Sequence, residues 1–214
     1  MKGWNRLVDS LLLLAGMHAG WLVSGRGLPF WVTGGISFFT ILAALAVNVL
    51  PSWRWQPTLR LTVLADGVEL LLQFLITLSV NAVLLGSTAV CWYRGQMSGW
   101  LWAWQALCVL AGETLLFWNG IARVYLTSVQ LGIRWRVIGV LLGWVPIAHF
   151  WALSRMMRMV QREVDMETRK LETDTLRAAD GVCRTRYPVV LVHGVFFRDM
   201  RLLSYWGRIP RALL

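Results

Sequence analysis

The 214-residue chain is 57% hydrophobic, carries 14 tryptophans, has 15% charged residues and shows a mean hydropathy of +0.57. Soluble domains run near about 45–50% apolar and about 25% charged, so an ordinary soluble domain is excluded and a membrane protein is expected. The net charge of +10 comes from arginines flanking apolar runs, as the positive-inside rule and anionic headgroups select; no nucleic-acid motif accompanies it, so no nucleic-acid partner is expected.

In chain order, residues 1–6 are a basic leader with no clear small-residue cleavage site, so the first span is expected to stay as a signal anchor. A helical crossing takes roughly 17–25 apolar residues. Five spans are predicted, at 7–23, 28–50, 70–93, 97–121 and 137–153, making residues 1–153 a polytopic transmembrane helical domain. The second and third carry no charge. The first holds Asp9 and His18 and the fifth Pro146 and His149, so four spans is the alternative count. Ser24–Gly27, Pro51–Trp55 and Arg94–Gln96 read as turns at the membrane surface, with Trp21, Trp31, Trp53, Trp55, Trp92, Trp118 and Trp135 near span ends, where indole prefers the headgroups. Trp100, Trp102 and Trp104 alternate and are spread around a helix rather than forming a stripe. Arginine counts on the two sides nearly tie; the first span tips the balance towards an inner N-terminus and an outer C-terminal segment.

Residues 154–186 are predicted to be a charged helical stalk and linker. Met157, Val160, Val164 and Leu171 keep a narrow apolar stripe, and Asp165 precedes Arg169 in the favourable i,i+4 order. Glu167 and Asp174 occupy heptad positions that a coiled-coil seam would need apolar. Cys91, Cys108 and Cys183 have no metal or redox spacing, and neither do His18 and His149, so no metal and no cofactor are expected.

Glu113 is the ionisable group that falls in mid-span, where a charge is costly. Asn81, Gln73 and His149 are its candidate partners. A structural lock inside the bundle, with Glu113 protonated, is the favoured reading, and a transport or proton-relay role the other.

The last segment, 187–214, is expected to open a second fold. Pro188 can begin a strand, Val189–Val192 is an unbroken apolar run suited to a parallel strand covered on both faces, and His193-Gly194 ends it abruptly. Ile209-Pro210 then reads as a helix start. Val190-Leu-Val-His-Gly194, with Arg198-Asp199 and Tyr205-Trp-Gly-Arg-Ile-Pro210 after it, resembles the oxyanion loop of bacterial triacylglycerol lipases and esterases of the α/β-hydrolase type. The resemblance covers only 187–214. It implies a mainly α chain whose end is the first strand, loop and helix of a hydrolase domain. It also implies that Val195 donates its backbone N–H to an oxyanion, that His193 and Gly194 shape the loop, and that serine, acid and histidine all lie beyond Leu214. The implied function is membrane-anchored hydrolysis of a carboxylic ester, with the lipid bilayer and an acyl-ester or lipid substrate as partners, in a multi-pass protein of a bacterial cell membrane. The alternative is a non-enzymatic integral membrane protein, a transport or assembly subunit.

Overall fold

A computed structural model of the chain describes residues 2–23, 29–50, 56–142 and 146–180. All its regular elements are helices: α1 (Lys2–Met17), α2 (Ala19–Val23), α3 (Phe30–Val49), α4 (Leu59–Tyr93), α5 (Gly99–Thr127), α6 (Ile133–Leu142) and α7 (Pro146–Asp180). The chain divides into two compact units, Met1–Asp165 and Met166–Leu214. In the second unit the described part is the charged end of α7.

Side-chain oxygens start the two longest apolar helices. Thr58 accepts from Leu61 N–H at the head of α4, and Ser98 accepts from Leu101 N–H at the head of α5, each satisfying a donor that the first turn leaves without a partner. Gly95, at φ 71°, turns the chain between them. At the α1–α2 joint His18 N–H still donates to Leu14 O and Leu22 N–H to His18 O, at 3.0 and 2.8 Å. Hydrogen bonding therefore runs through Lys2–Val23, a rod of about 33 Å at 1.5 Å per residue.

Pairings set the directions. Arg6–Glu69, Ser10–Gln73 and His18–Asn81 are each separated by the same 63 positions, so α1–α2 runs parallel to α4. Along α4 and α5, Asp66 meets Arg123, Asn81 meets Glu113 and Trp92 stacks on Trp102, in opposite chain order, so these two helices are antiparallel. They cross where both are glycine. A Cβ on Gly67 would sit 3.2 Å from Gly120 O, and one on Gly120 would sit 3.2 Å from Gly67 O. Such small residues let helices approach closely in an apolar solvent, where packing rather than hydrophobicity joins them. α3 packs on α1 at Gly16, where a Cβ would meet Ala44 Cβ at 2.5 Å, and leaves Trp31, Phe38, Phe39 and Val49 outward.

Among the described residues three helices are long and apolar enough to cross a membrane: α3 from Trp31, α4 and α5. This corrects the expected five. The predicted first span, 7–23, falls on α1 and α2, which have 16 and 5 residues and are each too short to cross by themselves, although hydrogen bonding continues through His18. The predicted fifth, 137–153, is divided between α6 and α7, because Pro146 opens a new helix at a position where its missing N–H is tolerated. α4 begins well before the predicted residue 70, since Asp66 and Glu69 are neutralised by Arg123 and Arg6 rather than left to end the helix.

The α/β-hydrolase reading is also corrected. The expected strand, loop and helix of 187–214, with His193, Gly194 and Val195, lie outside the described residues, and among the described residues there is no strand. A short apolar run ending in His-Gly is weak evidence in so apolar a chain, because strand and buried helix cannot be told apart over four or five residues.

The glycine crossing has a direct consequence. Gly120→Val should lower stability by about 1–3 kcal/mol through overpacking, read as a lower thermal unfolding midpoint in detergent. Gly86→Val, whose Cβ would meet nothing within 4 Å, should leave the midpoint unchanged.

Candidate functional site

The interior of the bundle is polar along one line. On α4, Thr62, Asp66, Gln73, Thr77, Asn81 and Thr88 are all buried, at spacings of four or seven that keep them on one face. The opposite face shows Val80, Val83 and Val90 outward. An inside-polar, outside-apolar helix is what a hydrocarbon solvent selects.

Three rungs link this stripe to α1–α2. At the first, Arg6 Nε and Nη2 donate to the two carboxylate oxygens of Glu69, at 2.6 and 3.0 Å, a bidentate pair. At the second, Ser10 Oγ donates to Gln73 Oε1, while Gln73 Nε2 donates to Arg6 O at 3.1 Å. At the third, His18 Nε2 lies 2.8 Å from Asn81 Oδ1.

That third rung continues into α5. Asn81 Nδ2 donates to Glu113 Oε1 at 2.7 Å, and Gln105 Nε2 lies 2.9 Å from His18 Nδ1. With Gln105 donating to Nδ1, the imidazole proton sits on Nε2 and is given to Asn81 Oδ1. The donors then all point one way, from Gln105 through His18 and Asn81 to Glu113. His18, Asn81, Gln105 and Glu113 are each at least 95% buried. Glu113 Oε2 and Gln105 Oε1, at the two ends, have no geometric hydrogen-bond partner.

A second constellation closes the end of α5. Glu163 of α7 is fully buried, and both its oxygens are used. Oε1 accepts from Val129 N–H at 2.9 Å and from Arg60 Nη1 at 3.0 Å; Oε2 accepts from Gln130 N–H at 3.1 Å and from Ser128 Oγ. Successive backbone N–H groups in such a turn form a concave anion site. Burial pushes the Glu163 carboxyl up, but the donors from Ser128, Val129, Arg60 and Gln130 outweigh it and hold the group below the usual carboxylate range. A third clasp joins α3 to α5: Asn119 Nδ2 donates to Asn48 Oδ1 at 2.6 Å, and Arg123 Nη2 to Val49 O at 2.8 Å.

Of the partners expected for Glu113, the structure supplies Asn81. Gln73 pairs with Ser10 instead, and His149 stacks against Phe117 with ring centroids 5.3 Å apart. The sequence reading missed Glu163, although a signal existed: it lies three residues after Val160, on the stripe read as apolar. Trp102 stacks on Trp92 at 5.3 Å while Trp100 faces outward, so the alternating tryptophans gather no site. Among the described residues no group of His, Cys, Asp and Glu could hold a metal ion. The chain matches no protein-family model, no curated protein and no solved structure, so no family supports the hydrolase expectation either.

Two outcomes test these assignments. Asn81→Leu strands the His18 N–H and the Glu113 carboxyl and should cost at least about 2 kcal/mol of stability. For Glu163, the folded-state pKa lies below the unfolded value of about 4.3. Its contribution is therefore fully present above that value and is lost as pH falls through the folded pKa. Glu163→Gln places an amide N–H against donors that already converge there. It should lower the unfolding midpoint at neutral pH and flatten its dependence on pH below about 5, in scans by circular dichroism.

Proposed function

We propose that the chain is a multi-pass integral membrane protein of a non-enzymatic kind, an assembly subunit whose polar interior fixes the arrangement of its helices. The observation that supports this most is the position of Asn81 between His18 and Glu113. An amide bridging the only two titratable members of this constellation holds them in place but is a poor proton carrier, since passing a proton would take it through an imidic-acid form. A proton path would put a hydroxyl, an imidazole or a water there.

Several other interior groups are engaged in the same way. Ser10, Gln73, Arg6 and Glu69 satisfy one another, and the hydroxyl of Thr77 turns back to Gln73 O at 2.9 Å. Interhelical hydrogen bonds of this kind contribute roughly 0.6 kcal/mol each on average; several in register define a single packing. The lipid bilayer is then the partner of the outward apolar faces.

A transport role is the second reading, favoured by Glu113 as a deeply buried carboxyl that the Thr77 hydroxyl also faces. Purified protein in liposomes, with a valinomycin potassium potential and an internal pH dye, separates the two. Under the proposal, wild type and Glu113→Gln take up protons no faster than empty liposomes, and Glu113→Gln retains an unfolding midpoint near that of wild type. Proton uptake by wild type that Glu113→Gln abolishes would overturn it.

A further inference from the structure

Among the described residues the basic groups crowd one end of the bundle. Arg6 near the start of α1, Arg60 near the start of α4, Arg123 near the end of α5, and Arg134 and Arg136 after it share that end, where Asp66, Glu69 and Glu163 are their acidic partners. At the opposite end, between α4 and α5, stands Arg94.

The path after α5 stays at the arginine-rich end. Arg136 Nη2 donates to Ser128 O at 2.9 Å, and Tyr125 Oη donates to Arg136 O at 3.2 Å, so α6 starts back beside the last turn of α5. A Cβ on Gly139 would lie 2.6 Å from the same Tyr125 hydroxyl. α7 then runs forward with α5: His149 lies on Phe117, Met156 on Tyr125 and Glu163 on Ser128. α6 has 10 residues, about 15 Å of helix, half of a hydrocarbon core of about 30 Å. Phe117, which His149 reaches, is likewise about 15 Å along α5 from Thr127.

Chemistry changes at the matching level. Ile133, Val137, Val140 and Leu141 of α6 and Phe150 and Trp151 of α7 point outward. Arg155, Arg158 and Arg162 follow, all exposed, beginning at the last turn of α5.

We propose that α6 and the first two turns of α7 form a half-depth hairpin that enters the bilayer and leaves it through the arginine-rich face. Acyl chains cover its outward apolar residues, continuing the belt made on α5 by Leu110, Leu115 and Trp118. Anionic lipid headgroups cover Arg134, Arg155, Arg158 and Arg162. The positive-inside rule makes that face cytoplasmic, so the segment from Arg155 lies on the side of the N-terminus, the reverse of the expectation drawn from a fifth crossing. The inference rests on α3–α5 spanning the bilayer.

Spin-labelled single cysteines in the full chain, with Cys91, Cys108 and Cys183 replaced by alanine, test it in phosphatidylethanolamine–phosphatidylglycerol liposomes. Reporters at Phe39, Gln96, Ile133, Leu141 and Gln161 are read for depth by oxygen against an aqueous nickel chelate, and for side by a membrane-impermeant maleimide. Leu141 should be deep, Ile133 and Gln161 shallow and on one side, and Gln96 on the other. Val137→Cys repeats the Leu141 measurement, so one badly behaved variant does not decide the result. Ile133 and Gln161 on opposite sides would mean a full crossing and would overturn the hairpin, as would an aqueous Leu141 beside a deep Phe39. An aqueous Phe39 would instead sink the spanning reading beneath it.

Discussion

Both ends of one amide, Asn81, are committed to other helices, and that commitment sets the register of the bundle. In hydrocarbon no water competes for or replaces these partners, so a polar side chain must find protein at a fixed distance. Asn81 is short, and its reach holds His18 and Glu113 at 2.8 and 2.7 Å. That requires α1–α2 and α5 to approach α4 closely. The glycines supply the room: Gly120 at the α4 crossing and Gly112 beneath Met17, where a Cβ would lie 2.7 Å from Met17 Cγ. Polar reach and small-residue packing are one constraint seen from two sides.

Charge is handled differently at depth and at the rim. Deep in the bundle the groups that bridge the helices are amides, hydroxyls and an imidazole, with Glu113 the one carboxyl among them. Ion pairs gather at the end where α1 and α4 begin: Arg6 with Glu69, Arg60 with Glu163, and Arg123 with Asp66. A paired charge needs several further hydrogen bonds to offset its desolvation, and turns and helix ends offer free N–H and C=O groups for this. Glu163 takes two N–H groups from the turn after α5, while Arg60 and Arg123 give their remaining protons to Thr127 O, Asn48 O and Val49 O.

Helical, membrane-class character was legible from apolarity alone, and the cost of a charge in mid-span showed that Glu113 needs a polar partner, with Asn81 one of three candidates. The stripe on α4 was not read, although polar residues recur from Thr62 to Thr88 at helical spacing, because hydropathy averaged over a window hides it beneath the apolar majority. Glu163 escaped because it sits in a charged stretch, where its place on the apolar stripe passes for one more solvated carboxylate until a turn 33 to 35 positions away in the chain closes on it. The span count failed for a related reason. Hydropathy over 137–153 is high, but α6 ends at Leu142 and Pro146 opens a new helix, and neither boundary enters an average. The strand expected before His193 rested on a few apolar residues whose type no window can settle.

The proposed half-depth hairpin would have to lean on protein, because backbone at that depth has no other partner. α5 is built to be leaned on there. Gly139 leaves space that the Tyr125 hydroxyl fills, that hydroxyl is bonded to Arg136 O, and Phe117 receives the His149 ring. The buried core beneath, with Leu131, Leu153, Met156, Val160 and Val164 against Leu64, Leu71 and Val124, holds α7 in place from its apolar start to its first charges. Glu163 then fastens it to the turn after α5, one helical turn after Val160. The same carboxylate ends α5, anchors α7 and pairs with the head of α4, so the point where the chain leaves the bundle is among its most tightly bonded.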